Sequence, residues 1–368
     1  MFELTSSKSN LLAALLTVSG AVDKKKSLVI LSNLLLKISE GTLLLTATDL
    51  EIEISASVPC QSSSCGSSTT VPAKKLVDII RSLDDDATVS FLGDDKQLTI
   101  KSSRSQFRLA CLSAEDYPNN EHESNLVEFT IARATLIQLL QSTHFALSQQ
   151  DIRVFLNGLL LELDSNKITA VAMDGHRMAV SVFPVQLDSM NHRFVIPRKG
   201  IQELLRLLGN ITEENVLVCA GKNHFKVITQ QYTFISKLIE TRFPAYLKAI
   251  PRGQDKQVII DRELIKRALT RITILANEKS RAIKLFIEPN QLTVSANNPE
   301  QEEAFELLPA ETTGESLQIG INASYLLDVL NYVETEKVRL SFLDTNSSIL
   351  VEPLEQVNYQ YVIMPMKI

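Results

Sequence analysis

The pattern of apolar and polar positions along the chain repeats three times. Residues 168–182 read ITAVAMDGHRMAVSV, and related runs occupy residues 43–55, LLLTATDLEIEIS, and residues 291–306, QLTVSANNPEQEEAFE. In each case an alternating run enters a short polar corner and a second run leaves it. Because alternation with a period of two is typical of strands with one buried face, each run predicts a strand, a corner and a second strand.

Segments with helical periodicity surround each of these strand pairs. The segments that begin at residues 2, 127 and 257 each predict a short strand followed by a helix with one buried face. The segments that begin at residues 69, 193 and 317 predict a second strand and helix, with Pro72 and Pro197 in the first helical turn and Asn322 as an N-cap. Two or three further strands complete each copy.

This recurrence predicts one domain copied three times. A spacing of about 120 residues is too long for a solenoid repeat but suits a single domain of about 100 to 200 residues. We assign the copies to residues 1–125, 126–250 and 251–368. The element order favours an antiparallel sheet with two helices on one face, which places the chain in the α+β class.

Composition and length indicate a globular chain with several cores. Of the 368 residues, 45% are hydrophobic and 22% are charged. No apolar run approaches the about 18 residues of a membrane span, and the N-terminus lacks a basic segment followed by an apolar one. We therefore expect a cytoplasmic protein. The four cysteines share no metal-ligand spacing, so we expect free thiols and no cofactor.

Candidate catalytic residues are few. The sequence contains no phosphate-binding loop, dinucleotide fingerprint, HExxH or GxSxG motif. Asp49, Glu51 and Glu53 share one face of a predicted strand and could bind a metal ion, which leaves a metal-dependent phosphoesterase as an alternative. Asp174 and His176 could form an acid–base pair, but the other copies do not repeat it. We therefore predict a protein without catalytic residues.

Positive charge is concentrated on the predicted helices, although the formal net charge is −6. If the helices pack on one side of joined sheets, they present one basic surface. Such a surface would bind nucleic-acid phosphates without sequence preference and in a salt-sensitive way. The cations recur at equivalent helices of successive copies: Lys8, Lys74, Lys75, Arg81, Arg133, Arg198, Lys199, Arg206, Arg262, Lys266, Arg267 and Arg271.

Segments along the whole chain resemble one known family, the bacterial DNA polymerase III beta subunit or sliding clamp. They are LSNLLLKISEGTLLLTATDLEIEI, QDIRVFLNGLLLE, DGHRMAV, VIPRKGI, SKLIETRFPAY, ILANEKSR, ANNPEQEEA, YLLDVLN and YVIMPMKI. The resemblance implies three DNA-clamp domains and a ring-shaped head-to-tail homodimer that encircles duplex DNA. It also implies a non-catalytic processivity factor of the DNA polymerase III holoenzyme in replication. A specialised repair or drug-resistance clamp is a further alternative.

The resemblance implies two sets of surface residues. For sequence-independent contact with duplex DNA the matching positions are Lys25, Arg81, Arg104, Gln150, Arg153, Phe155, Arg198 and Lys199. For the dimer interface they are Lys75 and Phe107 in the first copy, against Ile274, Leu275, Glu300, Glu303 and Glu306 in the third. The acidic run at residues 298–306 lacks local counter-charges in the sequence, so we expect Lys74, Lys75 and Arg104 of a second protomer to supply them. Val154 and Gln106 depart from the family, where an aromatic and a basic residue are common.

The resemblance also implies a pocket for an extended peptide that ends in apolar residues. Its partners would be the polymerase III alpha subunit, the clamp-loader delta subunit, translesion polymerases and mismatch-repair proteins. The matching positions are Leu156, Met173, Gly175, His176, Arg177, Met178, Pro244, Lys248, Ala249, Tyr325, Ser348, Val362, Met364, Pro365 and Met366. Met173 and Lys248 depart from the threonine and arginine that are frequent in the family. Judged without the resemblance, residues 362–366 are either an ordinary last strand or a strand stopped by Pro365 that leaves adaptable methionines as lining.

Overall fold

The three copies fold with the same order of elements. The computed structural model describes residues 2–23, 28–62, 64–94, 96–118, 124–187, 191–355 and 358–367. The first copy contains β1 (Phe2–Ser7), α1 (Lys8–Val18), β2 (Asn33–Ser39), β3 (Thr42–Thr48), β4 (Ile52–Pro59), β5 (Ser68–Pro72), α2 (Ala73–Ser82), β6 (Thr88–Gly93), β7 (Gln97–Ser102) and β8 (Ser105–Ala110).

The second and third copies repeat this plan, and the third adds one short strand. The second contains β9 (Val127–Ala132), α3 (Arg133–His144), β10 (Gly158–Asp164), β11 (Lys167–Met173), β12 (Arg177–Pro184), β13 (His192–Pro197), α4 (Arg198–Asn210), β14 (Asn215–Ala220), β15 (His224–Ile228) and β16 (Tyr232–Lys237). The third contains β17 (Lys256–Asp261), α5 (Arg262–Ile272), β18 (Ala282–Glu288), β19 (Gln291–Asn297), β20 (Glu303–Pro309), β21 (Glu311–Thr313), β22 (Leu317–Asn322), α6 (Ala323–Tyr332), β23 (Lys337–Phe342), β24 (Ile349–Pro353) and β25 (Tyr359–Ile363).

Side-chain caps set the first turns of several helices. The side chain of Asp261 accepts a hydrogen bond from the N–H of Leu264 at 2.7 Å, and the side chain of Asn322 accepts one from Ser324 at 2.8 Å. The predicted N-cap at Asn322 is therefore confirmed. Pro72 and Pro197 are instead the last residues of β5 and β13, directly before α2 and α4. Proline is acceptable there because it lacks an N–H and its φ is already restricted.

The chain divides into two compact units. Unit 1 comprises Met1–Ala134 and Lys199–Leu238, and unit 2 comprises Thr135–Arg198 and Ile239–Ile368. Unit 1 contains an eight-stranded sheet, ordered β5-β2-β3-β4-β16-β15-β14-β9, and a four-stranded sheet, ordered β1-β6-β7-β8. Unit 2 contains a nine-stranded sheet, ordered β13-β10-β11-β12-β25-β24-β23-β17-β21, and a four-stranded sheet, ordered β20-β19-β18-β22.

Each long sheet joins half of one copy to half of the next. In unit 1, β4 of the first copy pairs with β16 of the second copy, and in unit 2, β12 of the second pairs with β25 of the third. These ladders are antiparallel, as predicted. The strands of one copy therefore belong to two sheets, and the compact units do not follow the boundaries between copies.

The buried faces of helices and strands form the cores. Leu11 and Leu15 of α1 are fully buried, and α1 packs on α2, β3 and β4 of unit 1. Leu16, which the helical spacing placed on the buried face, is 42% exposed. None of the four cysteines, all of which lie in the described residues, is joined in a disulfide. No helix in the described part of the chain combines the length and the apolar character that a membrane crossing needs.

Candidate functional site

The best-defined candidate site lies in unit 2, where β12 begins and β25 ends. Met178 of β12 pairs with Val362 of β25, and both side chains are buried. Beyond β25, the N–H of Met364 donates to the carbonyl oxygen of His176 at 2.9 Å. Below them lies an apolar cluster, here called the pocket cluster, of Leu160, Val171, Met178, Val180, Val195, Phe243, Tyr246, Leu350 and Val362.

The rim of this site is more exposed than its floor. Met173 packs against the pocket cluster, and Leu156 is buried. Pro244, Lys248 and Ala249 are exposed, on the segment that contributes Phe243 and Tyr246 to the cluster. An apolar floor with an exposed rim is suited to bind apolar side chains of a ligand.

The segment after β25 adds apolar surface to the same site. Strand β25 ends at Ile363, and Met364, immediately before Pro365, is 47% exposed. Of the two alternatives for this segment, the structure therefore agrees with a strand that stops before the proline and leaves a methionine accessible. Methionine is flexible and polarizable, so it can adapt to ligands of different shape.

The corner between β11 and β12 requires a glycine. Gly175 has a φ of +91°, and a Cβ atom there would lie 2.7 Å from a guanidinium nitrogen of Arg153. The carboxylate of Asp174 accepts hydrogen bonds from the N–H groups of His176 at 2.9 Å and Arg177 at 3.0 Å. These bonds hold the corner tightly and leave the His176 side chain exposed.

Arg177 is bound by groups of the chain itself. Its guanidinium donates to Asp174 at 3.0 Å and to the carbonyl oxygen of Phe145 at 2.8 Å, and it forms an ion pair with Asp328. It also stacks over the Tyr325 ring, with 4.6 Å between the guanidinium carbon and the ring centroid. The side chain is only 12% exposed. Arg177 is one of the expected pocket residues, and these contacts show that it holds its neighbours in place.

Tyr325 and His176 form one wall of the site. Their rings stack with 6.4 Å between centroids. Burial raises the pKa of Tyr325, and the nearby carboxylate of Asp174 raises it further. The phenol therefore stays neutral near neutral pH. Ser348 lies on a neighbouring groove, together with Met364.

In unit 1, the residues expected to contact DNA differ in how free they are. Arg81 on α2 and Arg104 between β7 and β8 are exposed. Lys199, at the start of α4, instead forms an ion pair with Asp49 and lies 3.9 Å from Glu51. Contact between Lys199 and a phosphate would therefore compete with these carboxylates. Lys25 lies outside the described residues.

In unit 2, two of the expected cations also have internal partners. Arg153 donates to the carboxylate of Asp151 at 3.0 and 2.9 Å. These hydrogen bonds lower the pKa of Asp151 to about 2, so the carboxylate is charged at any physiological pH. Arg198 donates to the carbonyl oxygen of Leu147 at 2.6 Å. Gln150 is exposed.

Phe155, which the resemblance assigned to DNA contact, packs against the pocket cluster. Its ring makes an edge-to-face contact with Phe243, with 6.0 Å between centroids. The loop that carries Gln150 and Arg153 therefore connects directly to the floor of the pocket within unit 2.

The residues expected at the dimer interface lie near two sheet edges. Strand β8 is an edge of the four-stranded sheet of unit 1 and carries Phe107, and β20 is an edge of the four-stranded sheet of unit 2 and carries Glu303 and Glu306. Ile274 is 77% exposed after α5. Edge strands have unpaired backbone groups that can bind another strand. The remaining expected residues, Lys75, Leu275 and Glu300, are exposed or half-buried.

The expectation that the acidic run lacks local counter-charges is wrong for one residue. Glu306 forms an ion pair with Arg271, which donates to it from the last turn of α5. The partner is local because α5 packs against β20, a contact that separation along the sequence does not reveal. Glu303 remains exposed.

Comparisons with known proteins agree along the whole chain. Models of the DNA polymerase III beta subunit match its N-terminal domain at residues 2–121, its central domain at 130–245 and its C-terminal domain at 247–367. The beta sliding clamp of Pseudomonas aeruginosa is 42% identical over 367 residues, covering 99% of both chains. The chain belongs to the DNA polymerase III beta subunit family. This family is non-catalytic, so the protein is not an enzyme.

Solved structures of family members have the same fold. The crystal structure of the DNA polymerase III subunit beta from Pseudomonas aeruginosa superposes with a TM-score of 0.96 at 41% identity, with 100% of both chains covered. The Caulobacter crescentus beta sliding clamp, crystallised with polyethylene glycol bound to a putative beta-motif tethering region, gives a TM-score of 0.94 at 33% identity, with 100% of this chain and 99% of that chain covered.

Membership of this family removes the basis for a phosphoesterase. The carboxylate of Asp49 accepts hydrogen bonds from the N–H groups of Glu51 at 3.0 Å and Ile52 at 2.9 Å, and it pairs with Lys199. In the described residues, no three His, Cys, Asp or Glu side chains are grouped to hold a metal ion.

The sequence reasoning missed two exposed residues at the sheet edges. Phe305 of β20 is 73% exposed, and Arg108 of β8 is exposed beside Phe107. A signal was present for the first, because Phe305 is an aromatic residue inside an otherwise acidic run. For Arg108 the sequence offered none, since cations on exposed strand faces are common.

Proposed function

We propose that two copies of this protein close head to tail into a ring around duplex DNA, slide along it and tether replication proteins. The ring acts in the cytoplasm as the processivity factor of the DNA polymerase III holoenzyme. The observation that carries this proposal is the way in which the sheets extend from copy to copy. This arrangement leaves one unpaired edge strand in the first copy and one in the third, and these two strands correspond to the strands that pair at the internal junctions.

The strand that follows each corner pairs with the last strand of the next copy. Strand β4 pairs with β16, and β12 pairs with β25. The third strand of this kind is β20, and the first copy's last strand is β8; both are edge strands. Pairing of β20 with β8 of a second protomer repeats the same junction. Because each protomer has both edges, two such junctions close a ring.

The two internal junctions supply a register for this pairing. Phe234 of β16 opposes Ile54, and Tyr361 of β25 opposes Ala179. Ile54 and Ala179 occupy equivalent positions on β4 and β12. Each is the residue directly after the one that pairs with the last residue of the preceding strand, β3 or β11. In the third copy, that position is Ala304.

The equivalent of Phe234 in the first copy is Phe107, the third residue of β8. The repeated register therefore sets Phe107 against the small side chain of Ala304. One residue further, it sets Arg108 against Glu303, which is a favourable pair of opposite charges across two strands. These inferred pairings support an interface that includes Phe107 and Glu303, with Lys75, Ile274, Leu275, Glu300 and Glu306 close by.

The DNA-facing residues of the proposal are Lys25, Arg81, Arg104, Gln150, Arg153, Phe155, Arg198 and Lys199. The internal partners of Lys199 and Arg153 support weak, exchangeable contacts with phosphate, because each cation must leave a carboxylate to bind DNA. Weak contacts that do not read bases allow sliding, and closure of the ring provides retention.

The pocket of unit 2 is proposed to hold the apolar end of an extended peptide. Partners are the polymerase III alpha subunit, the clamp-loader delta subunit, translesion polymerases and mismatch-repair proteins. Tethering raises the local concentration of a partner at the DNA, so a weak peptide contact is sufficient. The domains are proposed to divide at residues 125 and 250. The separate matches of three family domains, at residues 2–121, 130–245 and 247–367, support a division into three.

Retention on circular DNA tests the proposal. The protein is loaded with its clamp loader and ATP on nicked circular DNA, and half of the sample is then linearised. A ring stays on the circle through a high-salt wash and leaves the linear molecule by its ends. Equal retention on both forms, or loss from both at high salt, would show that charge and not encirclement holds the protein.

A further inference from the structure

A second groove lies beside the proposed pocket in unit 2. Its volume is about 790 Å³. Met364, Pro365, Met366 and Ser348, which are expected pocket residues, also line this groove, so the groove adjoins the proposed pocket. The other lining residues are Lys284, Gln318, Ile319, Gly320, Thr345, Asn346 and Lys367.

The floor of the groove is the edge of a sheet. Strand β22 is the last strand of the four-stranded sheet of unit 2. The carbonyl oxygen of Gly320 accepts a hydrogen bond from the N–H of Met366 at 2.8 Å. The backbone groups of Gly320 therefore point away from β18. Backbone groups on an antiparallel strand alternate in direction. Gln318, two residues earlier, therefore presents its N–H and carbonyl to the groove, where an extended peptide can add as a strand.

The charged side chains that line the groove, among the described residues, are both lysines. Lys367 is exposed, and Lys284 is half-buried on β18. The nearest acidic residue on the lining loop is Asp344, which is not part of the lining. Its carboxylate accepts hydrogen bonds from the N–H groups of Asn346 at 2.8 Å and Ser347 at 2.7 Å, so Asp344 stabilises the conformation of this loop. The groove therefore favours negative charge.

We propose that this groove binds an acidic segment that flanks the apolar end of a partner peptide. This inference rests on the proposed function, because the apolar end must occupy the pocket. The peptide backbone pairs with the edge of β22 near Gln318, and its carboxylates lie near Lys284 and Lys367. The groove thereby distinguishes partners with acidic flanks from partners with neutral ones, although both carry the same apolar end.

Peptide binding in solution tests the proposal. The core probe is a fluorescent hexapeptide whose last three residues are leucine, leucine and phenylalanine. Further probes carry four glutamates or four serines, placed before or after this core. Anisotropy gives their affinities for the full-length protein, for Lys284→Ala with Lys367→Ala, and for a control with the exposed lysines of other strands changed, Lys37→Ala with Lys167→Ala.

We expect one glutamate probe to bind the unchanged protein about three- to tenfold more tightly than its serine counterpart, as two exposed ion pairs allow. The gain disappears in Lys284→Ala with Lys367→Ala and persists in the control, while the core peptide binds all three proteins alike. Equal affinity of glutamate and serine probes, or a gain that persists without the two lysines, overturns the groove proposal. Failure of the core peptide to bind overturns the proposed pocket, and the groove proposal falls with it.

Discussion

At the scale of single residues, the structure separates side chains that can meet a ligand from side chains that hold the site together. Arg177 belongs to the second group. It bridges the β11–β12 corner through Asp174, α6 through Asp328, and the chain after α3 through the Phe145 carbonyl. The resemblance alone assigned Arg177 to the pocket, and only its contacts reveal what it does there.

Replacement of Arg177 measures this positioning role. Arg177→Ala removes the guanidinium from the half-buried carboxylate of Asp174 and from the Phe145 carbonyl, which we expect to destabilise the protein by about 2 to 4 kcal/mol. Arg177→Lys keeps the charge but loses the planar fork, so its loss should be smaller. Urea unfolding gives the stabilities, and anisotropy with the core peptide gives the affinities.

A merely structural role for Arg177 would lower stability and leave the peptide affinity of the folded protein unchanged. If Arg177 positions Tyr325 and His176, the affinity falls as well, and Arg177→Lys restores part of it. An Arg177→Ala protein with normal stability would contradict the internal contacts described above.

At the scale of elements, the junctions between copies are the informative feature. Both internal junctions join a strand that follows a corner to the last strand of the next copy, and the strands left over are β20 and β8. The alternation of the sequence predicted the strands on either side of each corner correctly. It carried no information on which strands become neighbours, because pairing partners more than 50 residues apart all satisfy the same period of two.

An exchange of the charges of Arg108 and Glu303 tests the proposed pairing of β8 with β20. Arg108→Glu places two carboxylates opposite each other at both joints of the ring, so we expect the dimer dissociation constant to rise by about tenfold. Arg108→Glu combined with Glu303→Arg restores the opposite charges and most of the affinity. Sedimentation across a dilution series measures both constants.

The control for the charge swap is Lys101→Glu, which reverses a cation on the neighbouring strand β7. Its dissociation constant should stay close to that of the unchanged protein. If the double variant associates no better than Arg108→Glu alone, the two residues do not face each other, and the register taken from the internal junctions is incorrect.

At the scale of the whole molecule, encirclement and peptide binding are expected to be separable. The pocket lies entirely within unit 2, whereas a ring needs both edges. Ile274→Asp with Leu275→Asp would bury unpaired carboxylates at the joint, which costs several kcal/mol. We expect a monomer that still binds the core peptide with unchanged affinity but is not retained on nicked circular DNA.

Sedimentation, peptide anisotropy and the circle assay check this prediction on one preparation. The matched control is Leu126→Asp with Leu343→Asp, which charges two exposed leucines elsewhere; it should remain a dimer and stay on the circle. A dimeric Ile274→Asp, Leu275→Asp protein would place the joint elsewhere. Loss of peptide binding in a folded monomer would mean that the pocket depends on the ring.

The sequence by itself determined the elements and their threefold repetition. Local periodicity identifies strands and amphipathic helices because burial of one face is a local requirement, and the N-cap at Asn322 was found because capping involves residues only two positions apart. The quoted motifs then identified the family and, through it, the positions at which we expect the pocket.

Only the tertiary structure decided which side chains are engaged and which are free. Lys199 and Asp49 are 150 residues apart, and Arg177 and Asp328 are 151 apart, so neither ion pair leaves a local pattern. The same holds for Arg271 with Glu306 and for the sheets that cross copy boundaries. Electrostatic and backbone pairing depend on distance in space, and the folded chain alone brings these groups together.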